Sequence, residues 1–162
     1  MKNNPKISVV MPVYNGEEFI EEAVKSILNQ TYTDYEFIIV NDGSTDGSED
    51  IINKYKNMDN RIKVIRQRHK GITAALNRGC EESVGKYIAR MDDDDISYPD
   101  RFEKQFNYME NHPEVGVLDT WSQQIDKTGK RVGVWKSPET FNLVKWNFFF
   151  ENPIRHSSIM MR

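Results

Sequence analysis

Four short runs of β-branched and aromatic residues, Ile7–Met11, Tyr35–Val40, Ile62–Ile65 and Tyr87–Met91, recur through the first part of the chain, with a helical pattern in each gap. Near-continuous apolar runs of this length suit strands buried on both faces of a sheet. In the gaps the apolar residues fall at helical spacing: Phe19, Ile20, Ala23, Val24, Ile27 and Leu28 within Glu17–Asn29, then Ile51, Ile52, Tyr55 and Met58, then Ile72, Ala75, Leu76 and Cys80. Alternation at this pace restricts the chain to α/β folds built from right-handed βαβ units, with a mainly parallel central sheet and helices on both faces.

Local signals sharpen the boundaries. Pro12 lacks a ladder donor and is expected to end the first strand. Asp46 with Glu49 three residues later has the form of a capping box for the second helix. Pro99 suits a first helical turn, and Phe102, Phe106 and Met109 form the stripe of a helix that His112-Pro113 breaks. Val115–Leu118 begins another strand. Thr128-Gly129-Lys130 reads as the turn of a hairpin, between segments ending near Asp126 and starting near Val132, added to the parallel sheet. Pro138-Glu139-Thr140 opens a short helix. The run Trp146, Phe148, Phe149 and Phe150 is expected in the core, with partner docking as its alternative. Ser157–Arg162 reads as a final strand with neither turn nor cap after it. The expectation is one domain over 1–162, the front part of something longer.

The fourth strand ends in Asp92-Asp93-Asp94-Asp95. Four adjacent carboxylates repel one another, and a cation is the simplest way to hold them together. A solvated acidic loop is the bland alternative. Parallel strands place three loops on one sheet edge: Pro12 to Gly16, Asn41 to Asp46, and this acidic run. Ligands of open α/β sheets gather there. Tyr14 could stack on a base, Asp42 could accept from a base N–H, and the acidic run could hold a metal against a diphosphate. Taken singly, Tyr14 and Asn15 are equally turn formers and Asp42 to Asp46 equally helix caps. Their shared edge favours a nucleotide-diphosphate site. Of Arg66, Arg68, His69 and Lys70 after the third strand, Lys70 is the candidate to reach the diphosphate, against a solvated basic loop.

Mixed charges with a net charge of -3 argue against a nucleic-acid partner. Cys80, the only cysteine, excludes internal disulfides and fits a reducing compartment. No apolar stretch approaches the roughly 18 residues of a membrane span, and Met1 to Pro5 lacks a signal-peptide core. The expected location is the cytoplasm or the inner face of the membrane.

Val10-Met11-Pro12-Val13-Tyr14-Asn15, Val40-Asn41-Asp42-Gly43-Ser44-Thr45-Asp46, Gly71 to Gly79 with Ala75-Leu76-Asn77, and Gly85 to Asp95 followed by Pro99-Asp100-Arg101 together resemble the family 2 glycosyltransferases of the GT-A fold. The resemblance implies a Rossmann-like three-layer αβα sandwich with a C-terminal antiparallel addition. It implies inverting transfer of a sugar from a nucleotide diphosphate, usually a UDP-sugar, with Mg²⁺ or Mn²⁺, to a glycan, lipid-linked or other acceptor hydroxyl in cell-envelope polysaccharide synthesis. By the family pattern Pro12, Val13, Tyr14 and Asn15 line the base pocket and Asp42 contacts the uracil. The acidic run is then the DxD motif, with Asp92 at the ribose or metal and Asp94 at the metal. Asp93 stands where the family usually has a small neutral residue, so Asp93, Asp94 or both could ligate. The family's general base lies in an acidic motif beyond the strand that follows His156, so this chain is expected to bind donor and transfer little sugar. A binding module without transferase activity is the main rival. A haloacid-dehalogenase-like phosphatase is a weaker one, because it carries its Asp-x-Asp on the first strand.

Overall fold

The computed structural model describes residues 4–162; Met1 to Asn3 of the amino-terminal stretch read above lie outside them. Parallel strands β1 (Ile7–Val13), β2 (Tyr35–Asn41), β3 (Ile62–Arg66) and β4 (Tyr87–Arg90) alternate with helices α1 (Ile20–Leu28), α2 (Ser48–Met58) and α3 (Ile72–Glu81). Helix α4 (Arg101–Asn111) follows, then β5 (Val117–Leu118), a hairpin of β6 (Ser122–Ile125) and β7 (Arg131–Trp135), α5 (Phe141–Asn147), a 3₁₀ turn at His156–Ser158 and β8 (Met160–Met161). The sheet order is β3-β2-β1-β4-β8-β5, with β8 antiparallel to both of its neighbours.

Pro12 does not end β1. The Val10 carbonyl accepts from Met91 N–H on the β4 side, and the Val13 carbonyl accepts from Asp42 N–H on the β2 side. Strand alternation therefore turns Pro12 toward β4, past Val10, the last β1 residue with a β4 partner. Its missing N–H costs no ladder bond there, and pairing with β2 continues to Val13.

The three layers follow from the same alternation. Val9, Met11, Phe37 and Ile39 pack with Ile20, Val24, Ile52 and Phe102 of α1, α2 and α4. On the other face Ile38 and Val40 pack with Ala75 of α3. That contact is close: a Cβ added at Gly79 would lie 2.3 Å from Val10 Cγ1.

Several helix expectations change at the ends. Phe19, Met58 and Ile72, read as stripe residues, are exposed because each lies at or beyond a helix terminus. The capping box does not form, because both partners are drawn elsewhere. Asp46 accepts from Glu17 N–H (3.0 Å) and Ser48 N–H (3.1 Å), while Glu49 accepts from the Asn41 amide and Arg66 Nε. Pro99 precedes the Asp100 cap of α4 and offers its carbonyl to Thr31 N–H.

The carboxyl-terminal part departs further. The β6–β7 hairpin forms its own two-stranded sheet, and β8 supplies the antiparallel addition to the central one. The aromatic run is not core: Trp146 and Phe148 are exposed, and Phe149 and Phe150 are 79% and 72% exposed. No residue of α5 is buried, and Trp146 lies 5.5 Å from Phe150 and 6.2 Å from Phe149 between ring centroids. Among the described residues no helix is long and apolar enough to cross a membrane.

Candidate functional site

β1 is flanked by β2 on one side and β4 on the other, so the strand order reverses beside it, where open α/β sheets bind ligands. A cleft of about 320 Å³ opens at this point, lined by Pro12, Val13, Tyr14, Asp42, His69, Ile72, Ala75 and Asp92 to Asp94. The larger hollow, bounded by Lys56 to Arg61 in the α2–β3 connection, lies at the opposite sheet edge.

Asp42 sits at the back of the cleft, 2% exposed. Its Oδ1 accepts from Gln67 Nε2 (2.6 Å) and Lys70 N–H (2.9 Å), and its Oδ2 from Gly71 N–H (2.8 Å) and, at 3.2 Å, again from Lys70 N–H; His69 Nδ1 lies 2.9 Å from Oδ2 and hydrogen-bonds the Asp42 backbone carbonyl (3.3 Å). Burial alone would raise its pKa. Hydrogen bonds from Gln67, Lys70 and Gly71, with a smaller electrostatic contribution from His69, outweigh burial and lower it, so the group is an ionised carboxylate. Gly43 makes this approach possible with φ 77; a side chain there would meet the His69 backbone N at 2.9 Å. Tyr14, at the end of β1, stacks on the His69 ring at 3.9 Å between centroids and 26° between planes.

At the other end of the cleft, Asp92, Asp94 and Asp95 each offer an oxygen, all within 4.8 Å of one another. Arg90 holds Asp92 by a two-point pair, Nε to Oδ1 (2.8 Å) and Nη2 to Oδ2 (3.1 Å). Asp93 points instead toward the β1–α1 loop, its Oδ2 occupying the space a Cβ at Gly16 would need. Burial, with Asp94 and Asp92 beside it, pushes the Asp93 carboxyl up to about 6. Burial and Asp95 raise Asp94 too. A clustered all-oxygen set whose charges oppose one another is what a hard divalent cation relieves, so these residues fit Mg²⁺ or Mn²⁺. Behind the run lies buried Arg101, whose guanidinium donates to the Arg90 carbonyl (2.9 Å) and the Ser157 carbonyl (3.4 Å). Burial pulls its pKa down to about 10.

The structure thus brings Pro12, Val13, Tyr14, Asp42, Asp92, Asp93 and Asp94 to one cleft. Asn15 is turned away: with φ 55 it accepts from Thr45 N–H (2.8 Å) and braces the β2–α2 loop. Lys70 reaches Asp42 through its backbone N–H and is not among the lining residues. Sequence reading underrated His69, Asp95 and Arg101. For Asp95 membership of the acidic run was the available signal. For Arg101 the signal was its place in Pro99-Asp100-Arg101, and for His69 nothing local distinguished it from a basic loop.

A parallel sheet between two layers of helices, with an aromatic ring, a buried carboxylate and an acidic run on one edge, is an open α/β domain, and solved structures that share its fold are GT-A glycosyltransferases. TarS 1–349 from S. aureus, in complex with UDP-GlcNAc, superposes with a TM-score of 0.77 at 24% identity, covering 97% of this chain and 45% of that one. A Pyrobaculum calidifontis mannosyltransferase in complex with GDP-Man and Mn²⁺ gives 0.68 at 22%, covering 76% and 37%.

The chain belongs to glycosyl transferase family 2, matching the family over residues 8–162. It is 36% identical to an uncharacterised glycosyltransferase of Haemophilus influenzae, with 100% of this chain and 53% of that protein aligned. It is 37% identical to the putative glycosyltransferase EpsE of Bacillus subtilis, with 100% and 58% aligned. The chain therefore spans about half the length of these curated relatives.

Proposed function

We propose that this chain carries the donor-binding half of an inverting, metal-dependent glycosyltransferase that takes its sugar from a UDP-sugar. The observation that carries the reading is the continuity of one cleft from Tyr14 and Asp42 to Asp92 and Asp94. At one end an aromatic face and an ionised acceptor suit a base that presents a ring N–H. At the other, Asp92, Asp94 and Asp95 would hold Mg²⁺ or Mn²⁺, which when bound supplies positive charge for a departing diphosphate. A structure of TarS in complex with UDP, 26% identical over 79% of this chain, supports the choice of uracil.

The chain's own residues divide the work. Arg90 fixes the Asp92 carboxylate, so that end of the cleft is preorganised. Asp93 links the acidic loop to the base loop. Inversion also needs a carboxylate on the opposite face of the sugar to take the acceptor hydroxyl's proton; the reading assigns that role to none of these 162 residues. The acceptor class proposed is a glycan or lipid-linked hydroxyl.

Calorimetry with UDP, GDP and CDP, with and without Mn²⁺, tests the reading. UDP is expected to bind in the presence of Mn²⁺, and Asp94→Ala to weaken that binding by about tenfold or more, a loss of about 1.4 kcal/mol. Binding that ignores Mn²⁺, or no binding of any of the three, would remove the proposal.

A further inference from the structure

We infer that His69 is a built-in stand-in for the nucleobase, holding both base-reading groups of the cleft until a donor displaces it. The inference rests on the donor-site reading above. Its first support is the coincidence of two contacts in one ring. The imidazole lies flat on Tyr14, at 3.9 Å between centroids, and the same ring places Nδ1 2.9 Å from Asp42 Oδ2. Asp42 is ionised and can only accept, so Nδ1 must carry the hydrogen. A flat heteroaromatic ring that stacks on Tyr14 and gives a ring N–H to Asp42 reproduces what uracil N3–H or guanine N1–H would present.

The second support is a count of acceptor positions. A carboxylate offers about four lone-pair sites. Gln67 and Lys70 take those of Oδ1, Gly71 and a longer contact from Lys70 (3.2 Å) reach Oδ2, and His69 Nδ1 sits over the open side of Oδ2 at 2.9 Å while bonding the Asp42 backbone carbonyl (3.3 Å). Two of the four donors are backbone N–H groups. These are held by the close approach of Gly43 to the His69 backbone and by Gln67 N–H on the Asn41 carbonyl (3.0 Å). The Gln67 amide is the shortest of the four contacts. His69 alone gives its hydrogen from a ring that is 52% exposed. Rotation of that one side chain therefore uncovers both the Tyr14 face and the approach to Oδ2, with no change of backbone.

A resident competitor lowers apparent affinity by the fraction of molecules in which the site is open. Removing it should tighten nucleotide binding, the reverse of what removing a wall of the pocket would do. Calorimetry of UDP at saturating Mn²⁺ is expected to show His69→Ala binding about 3- to 10-fold tighter than the parent, from the loss of one stacked ring and one hydrogen bond. GDP and CDP must displace the same ring, so any binding they show should tighten by the same factor as that of UDP. His69→Ser serves the same purpose if the alanine chain melts early. Unchanged or weaker UDP binding would overturn the inference and leave the donor-site reading standing. Absence of UDP binding in parent and variants alike would remove both.

Discussion

Asp42 shows how one residue can hold a loop in place at the site proposed for the base. Its carboxylate gathers the N–H groups of Lys70 and Gly71 and the Gln67 amide, and so pins the β3–α3 loop to the end of β2. Asp42→Ala would leave those donors facing a void. Each unsatisfied buried donor costs about 1–3 kcal/mol, and partial hydration of the loop lowers the total, so a loss of about 2–4 kcal/mol is expected in urea unfolding. A loss under 0.5 kcal/mol would mean that the loop is held by other contacts. Asp42 was legible in the sequence because a carboxylate directly after a buried strand and before a glycine has few places to go. His69 was not, because its meaning depends on Tyr14, which only folding brings alongside it.

At the scale of elements, the four parallel strands were legible because β-branched runs buried on both faces leave little choice of conformation. What eluded the sequence was context. Pro12 reads as a strand end unless the direction of its absent donor is known. The aromatic run reads as core unless it is known that α5 buries none of its residues. The hairpin could not be told from a sheet addition, since a two-residue strand, β8, took that place. Helix α3 offers a test of close packing. Gly79→Ala gains about 1 kcal/mol of helix propensity but forces a Cβ to within 2.3 Å of Val10 Cγ1. Overpacking costs about 1–3 kcal/mol, and Val10 is a rigid β-branched neighbour, so a net loss of about 1–2 kcal/mol in thermal or urea unfolding is expected. A stabilised variant would show that α3 rides freely on the sheet.

For the whole molecule, the sheet edge opposite the cleft is tied by a buried carboxylate. Glu36 of β2 accepts from Ser8 of β1 and from the Val84 N–H ahead of β4, and pairs with Lys63 of β3. Burial opposes its ionisation, but Lys63, Ser8 and Val84 prevail and lower its pKa. A carboxylate lowered on folding stabilises the protein above its unfolded pKa of about 4.3, and the contribution is lost as pH falls through the folded value. Melting temperature should therefore hold near neutrality and drop below about pH 4, with a shallower drop in Glu36→Gln. Equal slopes in the two chains would exclude Glu36 as a source of the acid loss.

The placement of β8 between β4 and β5 sets an order of events during synthesis. β5 joins the sheet only through β8, so it must wait for a partner that leaves the ribosome after the hairpin and α5. The same late segment supplies the Ser157 carbonyl to Arg101 and the Ser158 carbonyl to Gln105, and its Ile159 carbonyl receives Arg90 N–H beside the acidic run. The Tyr14 and Asp42 end of the cleft can thus mature on the nascent chain while the acidic run is still unbraced, and under the function proposed above, competence to hold a complete donor waits for β8.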